Sequence, residues 1–237
     1  MGSKPARTKK SGGACTCTTS NGWWAASQAP AAEAEYSIPL FSEDVHALLR
    51  MLGVDRCCLV GHSMGGFISL QLALDHPDMV GALVLVDTSS GDFERAPGYA
   101  ELRARLDELA RNEGLEAAFE YDAANNPMRI ERFRRHPELR EVARQRVMST
   151  SVDGYIYVAR SFGKWRPVTD RLREIRVPTL IFWGEEDTPF LKASRTLEEA
   201  INGAELVTVA GVGHSPHEEA PALFNEKLLS FLSRVEW

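Results

Sequence analysis

Val60 Gly61 His62 Ser63 Met64 Gly65 Gly66 is the stretch whose reading decides the fold of this 237-residue chain. A short, mainly apolar run, Arg56 Cys57 Cys58 Leu59 Val60, stands before it, and an apolar helical pattern from Phe67 to Leu74 follows. The local order is therefore strand, tight turn, helix. In that setting a Gly-x-Ser-x-Gly pattern puts the serine on a strained turn, with glycines where side chains would collide with neighbouring backbone. Ser63 is expected to project its hydroxyl into a cleft.

The pattern outward from this turn alternates. Upstream, Ser42 is a candidate N-cap, Glu43 and Asp44 suit a first turn, and Val45, Leu48, Leu49 and Leu52 share one face before Gly53. Downstream, the helix should run through His76 and stop at Pro77, and Ala82 to Val86 reads as a buried parallel strand ending at Asp87. From about 91 to 171 the strand signal disappears. Charged helical segments replace it, with Leu102, Leu106 and Leu109 on one and Leu139, Val142 and Val147 on another, and Tyr155, Tyr157, Phe162 and Trp165 gather near the end. A helical insertion between parallel strands is placed to form a lid over the sheet's carboxyl edge, its aromatics mainly packing it together.

Alternation resumes with a strand at Pro178 to Trp183, the loop Gly184 Glu185 Glu186 Asp187 and a helix from about Leu191 to Ile201. A strand at Glu205 to Val209 follows, then Gly211 Val212 Gly213 His214 and a closing helix carrying Phe224, Leu228, Phe231 and Leu232. Strands alternating with helices indicate an α/β fold, a mostly parallel sheet with helices on both faces.

Composition narrows the function classes. With 27 basic and 33 acidic residues and a net charge of -6, the chain has no broad nucleic-acid surface and no general attraction to anionic lipid. Cys15, Cys17, Cys57 and Cys58 match neither a zinc site nor a secreted disulfide framework, and the adjacent pair falls in a buried strand as small apolar thiols. No apolar run approaches the roughly 20 residues a membrane span needs, and the basic start lacks the apolar segment of a secretory signal. A cytoplasmic protein is expected. Residues 1–30 show little core-forming pattern and are expected to be disordered, with a hairpin about Asn21 Gly22 as the alternative, while 31–237 form one domain.

A serine hydroxyl needs a base to take its proton, usually a histidine oriented by a carboxylate. His214 and Asp187 each follow a strand, so both reach the edge that carries Ser63, and their order (serine, acid, histidine) matches a known triad arrangement. Glu185 and Glu186 adjoin Asp187 but read as solvated loop charges, and Asp87 is a reserve acid whose common role would be a cap. His62 cannot easily bend back to serve Ser63, His217 lacks the further ligands of a metal pair, and His46, His76 and His136 read as surface or packing histidines.

Together, Gly61 His62 Ser63 Met64 Gly65 Gly66, Gly184 to Asp187, and Gly211 to His214 with Glu219 and Pro221 resemble the α/β-hydrolase superfamily, in its lid-bearing branch of carboxylesterases, enol-lactonases, cofactor-free haloperoxidases and carbon-carbon bond hydrolases. The likeness extends from about Ser27 to the C-terminus. It implies Ser63 as nucleophile, Asp187 as acid, His214 as base and the Met64 N–H as an oxyanion donor. A small ester or lactone is the implied substrate, with no metal, no organic cofactor, and no nucleic-acid or membrane partner.

The chain also departs from that family. Four strands and a His-Gly loop carrying the second oxyanion N–H normally precede the serine turn, and the pattern stops upstream of Ser27. We expect residues 1–26 to stand in place of that region and the strand at Cys57 to Val60 to be left as an exposed apolar edge. One lost oxyanion donor would lower the rate by roughly 100- to 1000-fold. A catalytically impaired, ligand-binding product is therefore the alternative to an active hydrolase.

Overall fold

The computed structural model describes residues 30–92 and 97–236. The expected disorder of residues 1–30 and the alternative hairpin concern residues outside this range, apart from Pro30. Tyr36 anchors the start of the described chain by donating its hydroxyl to the Pro30 carbonyl, 2.7 Å away.

Four parallel strands lie side by side in chain order: β1 (Cys57–His62), β2 (Val80–Val86), β3 (Thr179–Gly184) and β4 (Glu205–Val209). Helix α1 (Ile38–Met51) precedes β1, α2 (Met64–Asp75) joins β1 to β2, and α8 (Thr188–Ala200) joins β3 to β4. The short α9 (Pro216–Glu219) and α10 (Pro221–Leu232) close the chain. Side-chain alternation along the strands builds two cores. Leu83, Leu85 and Ile181 pack with α1, α2 and α8 on one face, whereas Ala82, Val84 and Phe182 meet Phe224 and Phe231 of α10 on the other.

Two local expectations need correction. The first helix begins at Ile38, with Ser37 as its N-cap accepting from the Leu40 N–H at 3.3 Å. Pro39 explains the earlier start, because proline fits the first helical turn, where its missing N–H costs nothing. Ser42 lies inside the helix, fully buried. The buried stripe is Ile38, Phe41, Val45 and Leu49, and Leu52 is 62% exposed because it is already the C-cap. Gly53, at φ 71°, closes the end as Val54 N–H bonds to Leu49 O and Gly53 N–H to Arg50 O, the paired bonds of a Schellman ending.

Among the described residues no strand precedes β1, which pairs with β2 alone. Among the described residues it is thus the edge strand that was expected, and its cysteines are buried, as the apolar run implies. Cys57 and Leu59 are buried in the core with α1 and α2, and Cys58 is buried in the core with α10. Two helical layers cover both faces of the edge strand.

Between β2 and β3 stand α3 (Tyr99–Asn112), α4 (Leu115–Asn125), α5 (Pro127–Arg135), α6 (Glu138–Met148) and α7 (Val152–Ser161). Leu106 and Leu109 are buried as the periodicity implies, but on α6 the buried residue is Ala143 and Val142 is exposed. Trp165 fastens this insertion to α2: its ring stacks on Phe67 at 5.0 Å and its Nε1–H donates to Gln71 Oε1 at 2.9 Å. Among the described residues, no helix is long and apolar enough to cross a membrane.

Candidate active site

Chain reversal between β1 and α2 leaves no room for side chains at two glycines. A Cβ on Gly61 would strike the Gly65 carbonyl and lie 2.6 Å from Ser69 Oγ, and one on Gly66 would lie 2.5 Å from Thr88 Cγ2. Ser63, between them, has φ 51° and ψ -116°, a region that L residues rarely occupy. Four bonds hold it there: Ser63 N–H to Val86 O at 2.9 Å, and to Ser63 O the N–H of Gly66 at 2.9 Å, the N–H of Phe67 at 3.4 Å and Thr88 Oγ1–H at 2.7 Å. Met64 is the first residue of α2, where a backbone N–H has no intrahelical acceptor and the helix dipole favours negative charge.

The other two expected residues meet directly. Asp187 lies three residues beyond β3 and His214 five beyond β4, and His214 Nδ1 is 2.6 Å from Asp187 Oδ2. The Asp187 side chain is 1% exposed and that of His214 22%, so the acid is sealed while the imidazole keeps an open side. A neutral or charged imidazole bonded at Nδ1 presents Nε2 for proton transfer. The loops are braced against each other. Glu186 N–H donates to Val212 O, and a Cβ on Gly184 would lie 2.7 Å from that same carbonyl.

Several supporting contacts lay beyond the reach of sequence reasoning. Glu219, its side chain 2% exposed, accepts from Gly213 N–H at 3.0 Å and Ser215 N–H at 3.1 Å, clamping the backbone on either side of His214. His62 Nε2 is 2.6 Å from the His214 carbonyl. A carbonyl only accepts, so this nitrogen carries the proton. Burial, with His214 and His217 beside it, holds the His62 pKa well below 6.5, so the ring stays neutral and positions the loop. Asp87 is fully buried, takes the Gly184 N–H on Oδ1 at 2.9 Å, and has φ 40°.

The remaining candidates lie apart from the chemistry or support it. Glu185 Oε2 accepts from Gly211 N–H at 3.1 Å, and Glu186 pairs with Arg135 of α5. His46 and His76 stack at 3.7 Å with 17° between their planes, and His76 Nε2 is 2.8 Å from Glu43 Oε1. Glu43, His46 and His76 bring one carboxylate oxygen and two ring nitrogens within 4.8 Å of one another. His136 Nδ1 is 3.3 Å from Glu138 Oε1, and the His217 ring is 4.6 Å from His62. Tyr155 lines a cavity of about 170 Å³ within the insertion, among Tyr99, Arg103, Phe119 and Arg129, away from Ser63.

Residues 24–221 match the family described as the alpha/beta hydrolase fold. A 2-hydroxy-6-oxononadienedioate/2-hydroxy-6-oxononatrienedioate hydrolase of Paraburkholderia phymatum is 31% identical over 196 residues, 79% of this chain and 66% of that protein. Among solved structures, a thermophilic esterase from Thermogutta terrifontis superposes with a TM-score of 0.72 at 26% identity, covering 85% of this chain and 74% of that one. The enol-lactonase from Burkholderia xenovorans gives 0.73 at 25% identity, over 87% and 76% of the two chains.

Proposed function

The chain belongs to the α/β-hydrolase fold family, and on that premise we propose that it is a serine hydrolase of small carboxylic esters or lactones. The carrying observation is a serine held at φ 51° on the strand-to-helix turn, on the same sheet edge as a histidine bonded at 2.6 Å to a buried aspartate. Ser63 Oγ attacks the substrate carbonyl while His214 Nε2 takes its proton. Asp187 fixes the imidazole tautomer and stabilises the imidazolium. The Met64 N–H, at the positive end of α2, donates to the developing oxyanion. His214 then protonates the leaving oxygen, and water enters by the same route to release the acid and free Ser63.

The solved esterase and enol-lactonase neighbours support the substrate class. Helices α3 to α7, tied to the catalytic loops by Arg132 and Arg135, act as the lid that shapes the pocket. The free, buried thiols Cys57 and Cys58 suit a reducing cytoplasm. Turnover of p-nitrophenyl acetate tests the reading. A rate above background that disappears in Ser63→Ala is expected, and folded protein with no Ser63-dependent turnover of esters or lactones would favour a ligand-binding role.

A further inference from the structure

Asp87 and Asp187 end neighbouring strands, and their carboxyl oxygens lie with a His214 ring nitrogen in a group spanning no more than 4.8 Å. Two buried carboxyl groups with oxygens within 4.8 Å of each other do not both stay charged. Asp187 holds the charge, because His214 Nδ1 is bonded to it at 2.6 Å. The bonding of Asp87 is only half complete. Oδ1 takes the Gly184 N–H, whereas Oδ2 is buried and meets no donor among the described residues. Ionised, Oδ2 would be an uncompensated buried charge; protonated, it is a donor with the Asp187 carboxylate as its acceptor.

We propose that Asp87 is a second carboxyl of the triad: as a neutral acid it donates to Asp187 and fixes that carboxylate against His214, and where Asp187 lacks its charge, Asp87 ionises and orients His214 instead. The proposal rests on the serine-hydrolase reading of the site. The groups facing Asp87 are consistent with it. Burial first, then the charge of Asp187, push its pKa up to about 9 against the pull of the Gly184 N–H, and Glu219 of α9 adds a second negative neighbour. Asp87 also holds φ 40°, an uncommon conformation for a residue other than glycine, with its N–H bonded to Phe182 O at 2.9 Å.

Asparagine separates the roles, because it can accept from Gly184 and donate to Asp187 but cannot ionise. Asp87→Asn should lower kcat/KM by less than about tenfold. Asp187→Asn should lower it by about 100-fold, short of the roughly 10⁴-fold that loss of the orienting charge costs where no substitute exists. The double variant should show the full loss of about 10⁴, more than the product of the singles. Activity of Asp187→Asn should rise with pH as Asp87 ionises, a rise absent from the double variant. Equal activity and pH profile for Asp187→Asn and the double variant would overturn the proposal.

Two measurements decide independently of turnover on protein shown to be folded by its thermal melt. Infrared spectra should contain the carbonyl band of a buried neutral carboxylic acid that Asp87→Asn removes. Proton NMR should show the low-field Nδ1–H of His214 in Asp187→Asn and lose it in the double variant. Absence of the infrared band, or an identical His214 signal in both variants, would overturn the proposal even if no ester is turned over. Their presence without turnover would leave Asp87 assigned and remove only the esterase reading.

Discussion

At Ser63 the backbone adopts a conformation that costs a residue with a Cβ about 1–3 kcal/mol, and it persists because Val86, Gly66 and Thr88 all bond to it. Gly66 makes room for Thr88 to do so. Gly66→Ala would drive a methyl into the Thr88 side chain, and overpacking of this kind costs about 1–3 kcal/mol. We expect thermal unfolding several degrees lower, together with weakened turnover as the Thr88 bond to the Ser63 carbonyl is displaced. A variant matching the parent in both would show that the turn has slack. The placing of Ser63, Asp187 and His214 at one sheet edge was legible in the sequence because each follows a strand pattern, and strand ends in a parallel sheet converge. Glu219 stood only as part of the family pattern. Its work is done on the backbone N–H groups of Gly213 and Ser215, and side-chain identity says nothing of such partners.

Contacts between the insertion and the loops that carry Asp187 and His214 set the behaviour of the elements. Arg132 of α5 and Arg146 of α6 both pair with Glu218 of α9, and Arg135 pairs with Glu186 and donates to the Gly211 carbonyl at 3.0 Å. Arg132 and Glu218 are each 14% exposed, so solvent screens their interaction only in part. Glu218→Gln would leave Arg132 largely buried without its counter-charge. The expected loss is about 2–3 kcal/mol, somewhat below that for a fully buried pair, read as a lower urea midpoint and weaker turnover. An unchanged midpoint would place these arginines on a solvated surface with no latching role. Residues 132 and 218 lie far apart in sequence, and a charge on an amphipathic helix does not announce its partner. The helices themselves were legible. The start of α1 was misplaced because Ser42 carries the chemistry of a cap, while Pro39 and the buried Ile38 and Phe41 determine where the helix begins.

Over the whole molecule, two buried groups shape stability against pH in opposite senses. Asp87 stays protonated in the folded chain to about pH 9 but ionises near 3.9 once unfolded, so between these values the folded state binds the extra proton and stability falls as pH rises. His62 is held neutral when folded and protonates below about 6.5 when unfolded, so its contribution is lost as pH falls through that value. Asp87→Asn should flatten the decline in urea midpoint between about pH 6 and pH 8.5, and a decline as steep as the parent's would assign it to other groups. The parallel sheet and its helical layers were legible because apolar runs and amphipathic periods alternate on both sides of the helical insertion. The burial of Cys57 and Cys58 was legible too, whereas the helices that cover each face of this edge strand were not, since chain order leaves their packing directions open. Whether these parts form a working nucleophile is tested most directly by reacting the folded protein with a fluorophosphonate probe and weighing it intact. A single adduct that maps to Ser63 and is abolished in Ser63→Ala is expected; folded protein that stays unlabelled, or an adduct that survives the substitution, would show that Ser63 is not a working nucleophile.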